Sequence, residues 1–320
     1  MDLYTRLERT GLIPVIKIAN AADALPLAAA LRDGGLNAAE ITFRTACAAE
    51  AIAKIREAYP DMLIGAGTVL TNTQADDAMK AGADFLVSPG LNPSVVKYCL
   101  EKGYPIVPGC ATPSDIETAL SLGLDHVKFF PAETAGGLPM IKAMSAPYGN
   151  VRFMPTGGIS DKNLLQYLSF GKIFACGGSF MVNDALIEAG DFDEIRERTR
   201  KAVSLMLGFE LKHIGINATS DEEAKKTASL LDAIFGFGTR EIPVSYFVGP
   251  FEVMKGQDRG KNGHIAIATY DVDRAIYHLT QRGYAIDETS IVRNSAGKAT
   301  FAYLADEFLG FAIHFTAKPY

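Results

Sequence analysis

Cysteine and histidine are both scarce in this chain: its 320 residues hold four of the first and five of the second. The cysteines, Cys47, Cys99, Cys110 and Cys176, show no C-x-x-C spacing, and none lies beyond Cys176. That excludes a disulfide framework and suits free thiols in a reducing compartment. Charge is sparse as well, 21% of residues with a net of -6, which argues against a nucleic-acid or anionic-membrane partner. No apolar run approaches the ~20 residues needed to cross a bilayer. The opening stretch "MDLYTRLERTGLIPVIKI" lacks the n-region, h-region and cleavage site of a secretory signal. The expectation is a soluble cytoplasmic protein. Hydrophobic residues, at 48%, are enough for a large core, and the length admits two domains.

Short apolar runs alternate with helical patterns from the N-terminus: "LIPVIKI" (12–18), "AAEITFR" (38–44), "LIGAGTV" (63–69), "FLVSPG" (85–90), "YPIVPG" (104–109), "HVKFFPA" (126–132), "VRFMPTGG" (151–158) and "IFACGGS" (173–179). Segments between them, such as "TPSDIETALSLGL", open on a polar or proline signal and close near glycine. Eight strands alternating with helices predict an α/β fold with a parallel sheet, and eight is the number that closes a (β/α)8 TIM barrel. A doubly wound open sheet is the alternative, but no G-x-G-x-x-G follows the first strand. From "LKHIGINA" the pattern becomes strand, helix and strands, twice over, a repeat of about fifty residues. This predicts a smaller α+β domain of paired βαβββ units. The boundary near 206–211 divides the chain into 1–207 and 208–320.

Within "HVKFFPAE" a lysine interrupts a strand that otherwise reads as buried. Lysine is almost never fully buried unless it is paired or has chemistry to do. Side chains alternate along a strand, so Lys128 shares a face with Phe130 and lies near the end of strand six, where barrel enzymes assemble their sites. On strand two, Glu40, Thr42 and Arg44 share one parity, which places them together on the inner face. A lysine amine out of water attacks ketones to form imines, a carboxylate relays protons, and a guanidinium fork holds a carboxylate. The glycine-rich ends "PTGGIS" and "GGS", with Ser179, sit where barrel folds bind phosphate. The set suits carbon–carbon cleavage through an imine. A phosphate-binding isomerase or synthase, using the lysine only electrostatically, is the competing reading.

The motifs "EITFRT", "GAGTVL", "SPGLNP", "PGCATPSDI", "KFFPAE", "RFMPTGGI" and "GGSFMV", in this order and spacing across residues 1–205, resemble the class I 2-dehydro-3-deoxy-phosphogluconate aldolases, also known as 4-hydroxy-2-oxoglutarate aldolases. The resemblance implies a metal-free β/α barrel, a homotrimer, acting on a small 2-keto acid and an aldehyde phosphate. It makes Lys128 the Schiff-base lysine and Glu40 the proton-transfer residue. Arg44 and Thr68 would contact the pyruvate end, Pro89 and Phe130 would line the pocket, and Gly157, Gly158 and Ser179 would hold the phosphate. Thr156 stands where gluconate-directed members carry threonine. Cys110 occupies a position where the family usually has isoleucine, and it is read as packing.

Three of the histidines fall in the C-terminal third with matching places in the repeat. His213 and His264 stand in the first strand of each half, and Glu252 and His314 in the closing strand. Three imidazoles and a carboxylate suit a divalent Zn, Ni, Fe or Mn ion. Residues 211–316, above all "GHIAIATYDVDRAIYHLTQRGY", resemble the vicinal oxygen chelate superfamily, although "ADEFLGFAIHF" has histidine where that family usually has glutamate. A metalloenzyme, a regulatory binding module and an oligomerisation element all remain open for this region.

Overall fold

Each of the eight apolar runs contains a strand, and each strand stops one to three residues before its run does. In a computed structural model describing all residues, Met1–Tyr320, they become β1 (Leu12–Ile16), β2 (Ala38–Thr42), β3 (Leu63–Gly67), β4 (Phe85–Val87), β5 (Ile106–Val107), β6 (His126–Phe129) and β7 (Arg152–Pro155), followed by β8 (Cys176–Gly178). Strands β4, β5 and β8 are shorter than their runs. Proline has no N–H to donate, and glycine pairs weakly in a ladder.

All the pairings are parallel, in the order β5-β4-β3-β2-β1-β8 with a separate β6-β7 pair. Single bridges, Gly109 to Lys128, Phe153 to Ile173 and Thr156 to Gly177, join the two pieces on both sides. The eight strands thus follow one another in cyclic order in a curled parallel sheet. One helix lies between each consecutive pair, from α2 (Ala24–Asp33) to α8 (Leu164–Leu168), preceded by α1 (Leu3–Thr10) and followed by α9 (Asp184–Glu188) and α10 (Phe192–Leu207).

Helix starts follow their capping residues. Asn92 precedes Pro93 at the start of α5 (Pro93–Glu101), and Thr112 forms a reciprocal box with Asp115 at the start of α6 (Pro113–Ser121). A core on the inner face of the curled sheet holds Ile13, Leu63, Phe85, Val107 and Phe174, with Leu7 of α1 packed among them, all fully buried. Strands β2 and β3 are buried at every position, as a sheet covered on both faces requires.

The chain divides into two units, Met1–Met206 with Tyr320, and Leu207–Pro319. The second contains β9 (Glu210–Asn217), α11 (Asp221–Phe235), β10 (Thr239–Glu241), β11 (Ser245–Val248) and β12 (Phe251–Met254), then β13 (Gly263–Thr269), α12 (Val272–Gln281), β14 (Ile286–Arg293), β15 (Ala299–Phe308) and β16 (Phe311–Ala317). Both halves run βαβββ. Their strands share one sheet, ordered β10-β11-β12-β9-β13-β16-β15-β14. Tyr246, Val248 and Val253 pack with α11 residues Ala224 and Ala228, and Ala302 and Phe315 pack with Val272 and Ile276 of α12. Both helices therefore cover one face, and alternation sends the neighbouring side chains to the other. No helix of the chain is long and apolar enough to cross a membrane.

Candidate active site and candidate metal centre

Lys128 and Glu40 meet inside the curled sheet. Nζ of Lys128 donates to Oε1 of Glu40 at 3.3 Å, and their side chains are 6% and 0% exposed. Strands β2 and β6 stand four places apart in the cyclic order, which would separate them by about 19 Å in a flat sheet. The contact exists because the sheet curls. The second carboxylate oxygen, Oε2 of Glu40, is buried with no hydrogen-bond partner. Such a group is costly unless something arrives to use it.

Room for this pair comes from a neighbouring glycine. A Cβ on Gly67, in register with Thr42 on the adjacent strand, would lie 2.2 Å from Oε1 of Glu40. Thr42 itself turns its hydroxyl to the Ile16 carbonyl at 2.8 Å, so it belongs to the framework. Thr68, immediately after β3, holds φ at +58°, a left-handed conformation that costs a non-glycine residue roughly 1–2 kcal/mol. The half-buried Phe130 places its ring centroid 5.3 Å from the Lys128 amine. Pro89 borders a cavity of about 300 Å³ shared with Val69, Leu70 and Ser88.

Arg44 departs from expectation. Strand β2 ends at Thr42, so strand parity does not carry Arg44 onto an inner face, and its side chain is exposed beyond the strand end. The turn after Thr42 releases the alternation on which that expectation rested.

Thr156 is 5% exposed, and its hydroxyl oxygen lacks a partner. A Cβ on Gly177 would come within 2.3 Å of that oxygen. Gly157 and Gly158 hold φ at +96° and +83°, so the turn itself demands glycine at both places. A Cβ on Gly158 would also lie 2.5 Å from Cγ of Glu133. Ser179 is exposed just past β8. Cys110 is 1% exposed, and burial pushes its thiol up to about 12, helped by Asp115, so it stays protonated at neutral pH. Gly67, which clears space for Glu40, was not singled out by the sequence, and Gly177 was read only as part of the "GGS" phosphate end, not as the residue that clears space for Thr156. Their signal was glycine within a strand, which marks a close approach.

The second unit gathers all four residues of its candidate centre on the face away from α11 and α12. Nε2 of His213 lies 2.9 Å from Oε2 of Glu252 and 3.1 Å from Nε2 of His264, which is itself 3.2 Å from that oxygen. The candidate ligand atoms of His213, His264 and His314 all lie within 4.8 Å of one another. Register explains the convergence. Glu252, Gly215 and His264 form one row across β12, β9 and β13, and His213, Ala266 and His314 form the next across β9, β13 and β16. The small residue in the middle of each row leaves the space, and a Cβ on Gly215 would lie 2.2 Å from the His264 ring.

Ser245 donates to Oε1 of Glu252 at 2.7 Å, leaving Oε2 to the histidines. Burial works to raise the Glu252 carboxyl, but hydrogen bonds from His213, His264 and Ser245 outweigh it and hold the group well below the usual carboxylate range. Burial, reinforced by His264 and His213, pushes His314 down to about 3, so it is neutral and available as a ligand. Nδ1 of His314 is buried and without a partner.

Residues 3–198 match the family model described as KDPG and KHG aldolase. A 2-dehydro-3-deoxy-phosphogluconate aldolase of Treponema pallidum is 50% identical over 206 residues, 64% of this chain and 98% of the relative. A KHG/KDPG aldolase of Escherichia coli is 41% identical over 191 residues, 60% of this chain and 90% of the relative. Among solved structures, the KDPG aldolase of Legionella pneumophila, with pyruvate captured as a covalent carbinolamine, is 39% identical with a TM-score of 0.61, covering 63% of this chain and 98% of that one.

Proposed function

Residues 3–198 make this chain a member of the KDPG and KHG aldolase family, an aldolase and therefore a lyase, and on that premise we propose that it cleaves 2-dehydro-3-deoxy-6-phosphogluconate into pyruvate and glyceraldehyde 3-phosphate through an imine on Lys128. The observation that carries this reading is the buried Lys128–Glu40 contact with one carboxylate oxygen unused. The curled sheet is read as the eight-stranded barrel on which such a site is built. The Lys128 amine attacks the substrate's keto carbon, water leaves, and the protonated imine draws electrons from the carbon–carbon bond that breaks. Glu40 takes the proton from the 4-hydroxyl of the substrate as the aldehyde departs, its protonated form returns a proton to the enamine carbon, and water then hydrolyses the resulting imine to free pyruvate and the Lys128 amine. Arg44 and Thr68 hold the carboxylate of the pyruvate half, and Pro89 and Phe130 border it. The test is borohydride with pyruvate, which should reduce the imine to a stable adduct on Lys128 alone. Labelling at another lysine would sink the assignment.

We read the glycine turn at 157–158, Thr156 and Ser179 as the phosphate end. Ser179→Ala should raise KM for the phosphorylated substrate several-fold while leaving imine trapping with pyruvate unchanged, since only the hydroxyl to the phosphate is lost. An equal effect on phosphorylated and unphosphorylated substrates would remove Ser179 from that role. Activity on 4-hydroxy-2-oxoglutarate is proposed as a second reaction of the same site, supported by the KHG/KDPG relative.

For residues 207–319 we propose a divalent metal centre on His213, Glu252, His264 and His314, in a module of the vicinal oxygen chelate kind. Neighbouring ligands ~2.0–2.1 Å from one ion stand roughly 2.9 Å apart in an octahedral shell and roughly 3.3 Å apart in a tetrahedral one. The 2.9, 3.1 and 3.2 Å separations among His213, His264 and Glu252 suit that spacing. Two imidazole nitrogens facing each other beside one carboxylate oxygen form a donor set that a positive ion between them would satisfy. Such an ion would supply Lewis acidity, with Ser245 orienting Glu252. His264→Ala should lower Zn affinity at least ~10–100-fold by competition with a chromogenic chelator, as loss of even a supporting partner does. Wild-type protein that takes up no Zn, Ni, Fe or Mn would reduce the cluster to inherited strand positions.

A further inference from the structure

Beyond the four clustered side chains, the same face of the C-terminal sheet carries a row that ends in an arginine. Arg240 pairs with Phe247, Phe247 with Glu252, Glu252 with Gly215, and Gly215 with His264, so all five point to one side of the sheet. The Arg240 guanidinium stacks over the Phe247 ring at 4.9 Å, and that ring meets His213 edge-on at 5.5 Å. The adjoining row runs from His213 through Ala266, His314 and Tyr303 to Asp287. Phe301 and Tyr303 stand with their centroids 4.6 and 5.1 Å from His314, closing the other side.

The cations near this face differ in how they are neutralised. Arg259 stacks on Tyr303 but is held by Asp287. Arg240 has the Phe247 ring and no carboxylate partner, so its guanidinium donors remain available to an incoming acid. Glu252 and Arg240 are two strands apart, or about 10 Å.

We propose that this face binds a 2-oxo acid carrying a second acidic group, its oxo-acid end on the metal and its distal acid in the fork of Arg240. The inference rests on the metal reading above and adds the ligand class. Adjacent oxygens of an oxo acid can fill two neighbouring positions on an ion held by four side chains. The cluster and the guanidinium stand on strands two places apart with the Phe247 ring between them, a gap that a chain with an acid at each end can bridge and a single acidic group cannot. A five-carbon 2-oxo dicarboxylate is a ligand of that class. Phe247 supplies the apolar floor between the two charged contacts.

The test uses full-length protein loaded with Co(II), whose visible absorption reports only on the bound ion. The aldolase site therefore does not interfere with the signal. 2-Oxoglutarate should change the spectrum saturably. Arg240→Ala should raise its half-saturating concentration about 10-fold or more, as loss of one charge-assisted contact does. The same variant should bind Co(II) with unchanged affinity and respond to 2-oxobutyrate, which has one acid, as the wild type does. If Co(II) binds but 2-oxoglutarate leaves the spectrum unmoved, or if Arg240→Ala weakens both acids equally or neither, the ligand inference is overturned and the metal centre stands. If wild-type protein takes up no Co(II), the metal reading fails and the inference falls with it.

Discussion

Lys128→Arg is expected to yield a folded protein with no aldol cleavage above the uncatalysed rate and no borohydride-dependent adduct with pyruvate. Arginine keeps a positive charge beside Glu40 and retains a long apolar stem, so the buried pair persists. Its guanidinium cannot lose a proton under these conditions and does not attack a ketone. The variant therefore separates the lysine's chemistry from its charge. Circular dichroism and the unfolding midpoint establish that the fold survives, and coupled assay of pyruvate release reads the activity. Residual turnover near wild type would return the barrel to the reading in which the lysine acts only as a charge.

Glu40→Gln comes second, with an expected loss of ~10²–10⁴ in kcat, the range for a general acid–base group. Glutamine has almost the same shape, and its amide oxygen can still accept from the Lys128 amine, so the protein should fold and the imine should still be trapped. What it cannot do is accept and return the proton. Alanine would be the wrong probe. Removing one partner of a buried pair leaves the other charge uncompensated, at about 3–5 kcal/mol, and Lys128 is nearly as buried as Glu40. Wild-type kcat in Glu40→Gln would take the proton relay away from Glu40. Loss of trapping together with loss of turnover would show that the carboxylate is needed to form the imine.

These predictions draw on a site whose members were legible to different degrees. Lys128 and Glu40 declared themselves because a charged residue inside a buried strand violates the pattern around it. Arg44 misled the parity argument, since a strand's alternation ends where the strand ends, and no local signal separates Thr42 from Arg44. In the second unit the βαβββ pattern requires a strand after each helix, but β10 and β14 could not be located from sequence because both are edge strands with no buried position and no clean alternation. Arg240 was invisible for the same reason. It sits in β10, where nothing in "TRE" distinguishes it from a solvated surface arginine.

The sequence by itself determined the alternation of strands and helices, the βαβββ repeat, and the residue types able to do imine and metal chemistry. Those properties are local. Periodicity, capping and the cost of a buried charge act over a few residues. Only the tertiary structure decided that β2 and β6, 88 positions apart at Glu40 and Lys128, face each other across a curled sheet. It alone showed that Gly67 opens the space for the Glu40 carboxylate, and that Gly215 and Ala266 let four side chains from four strands converge. Curvature and register are set by the sum of many pairings across the sheet, and no single segment of the chain carries that sum.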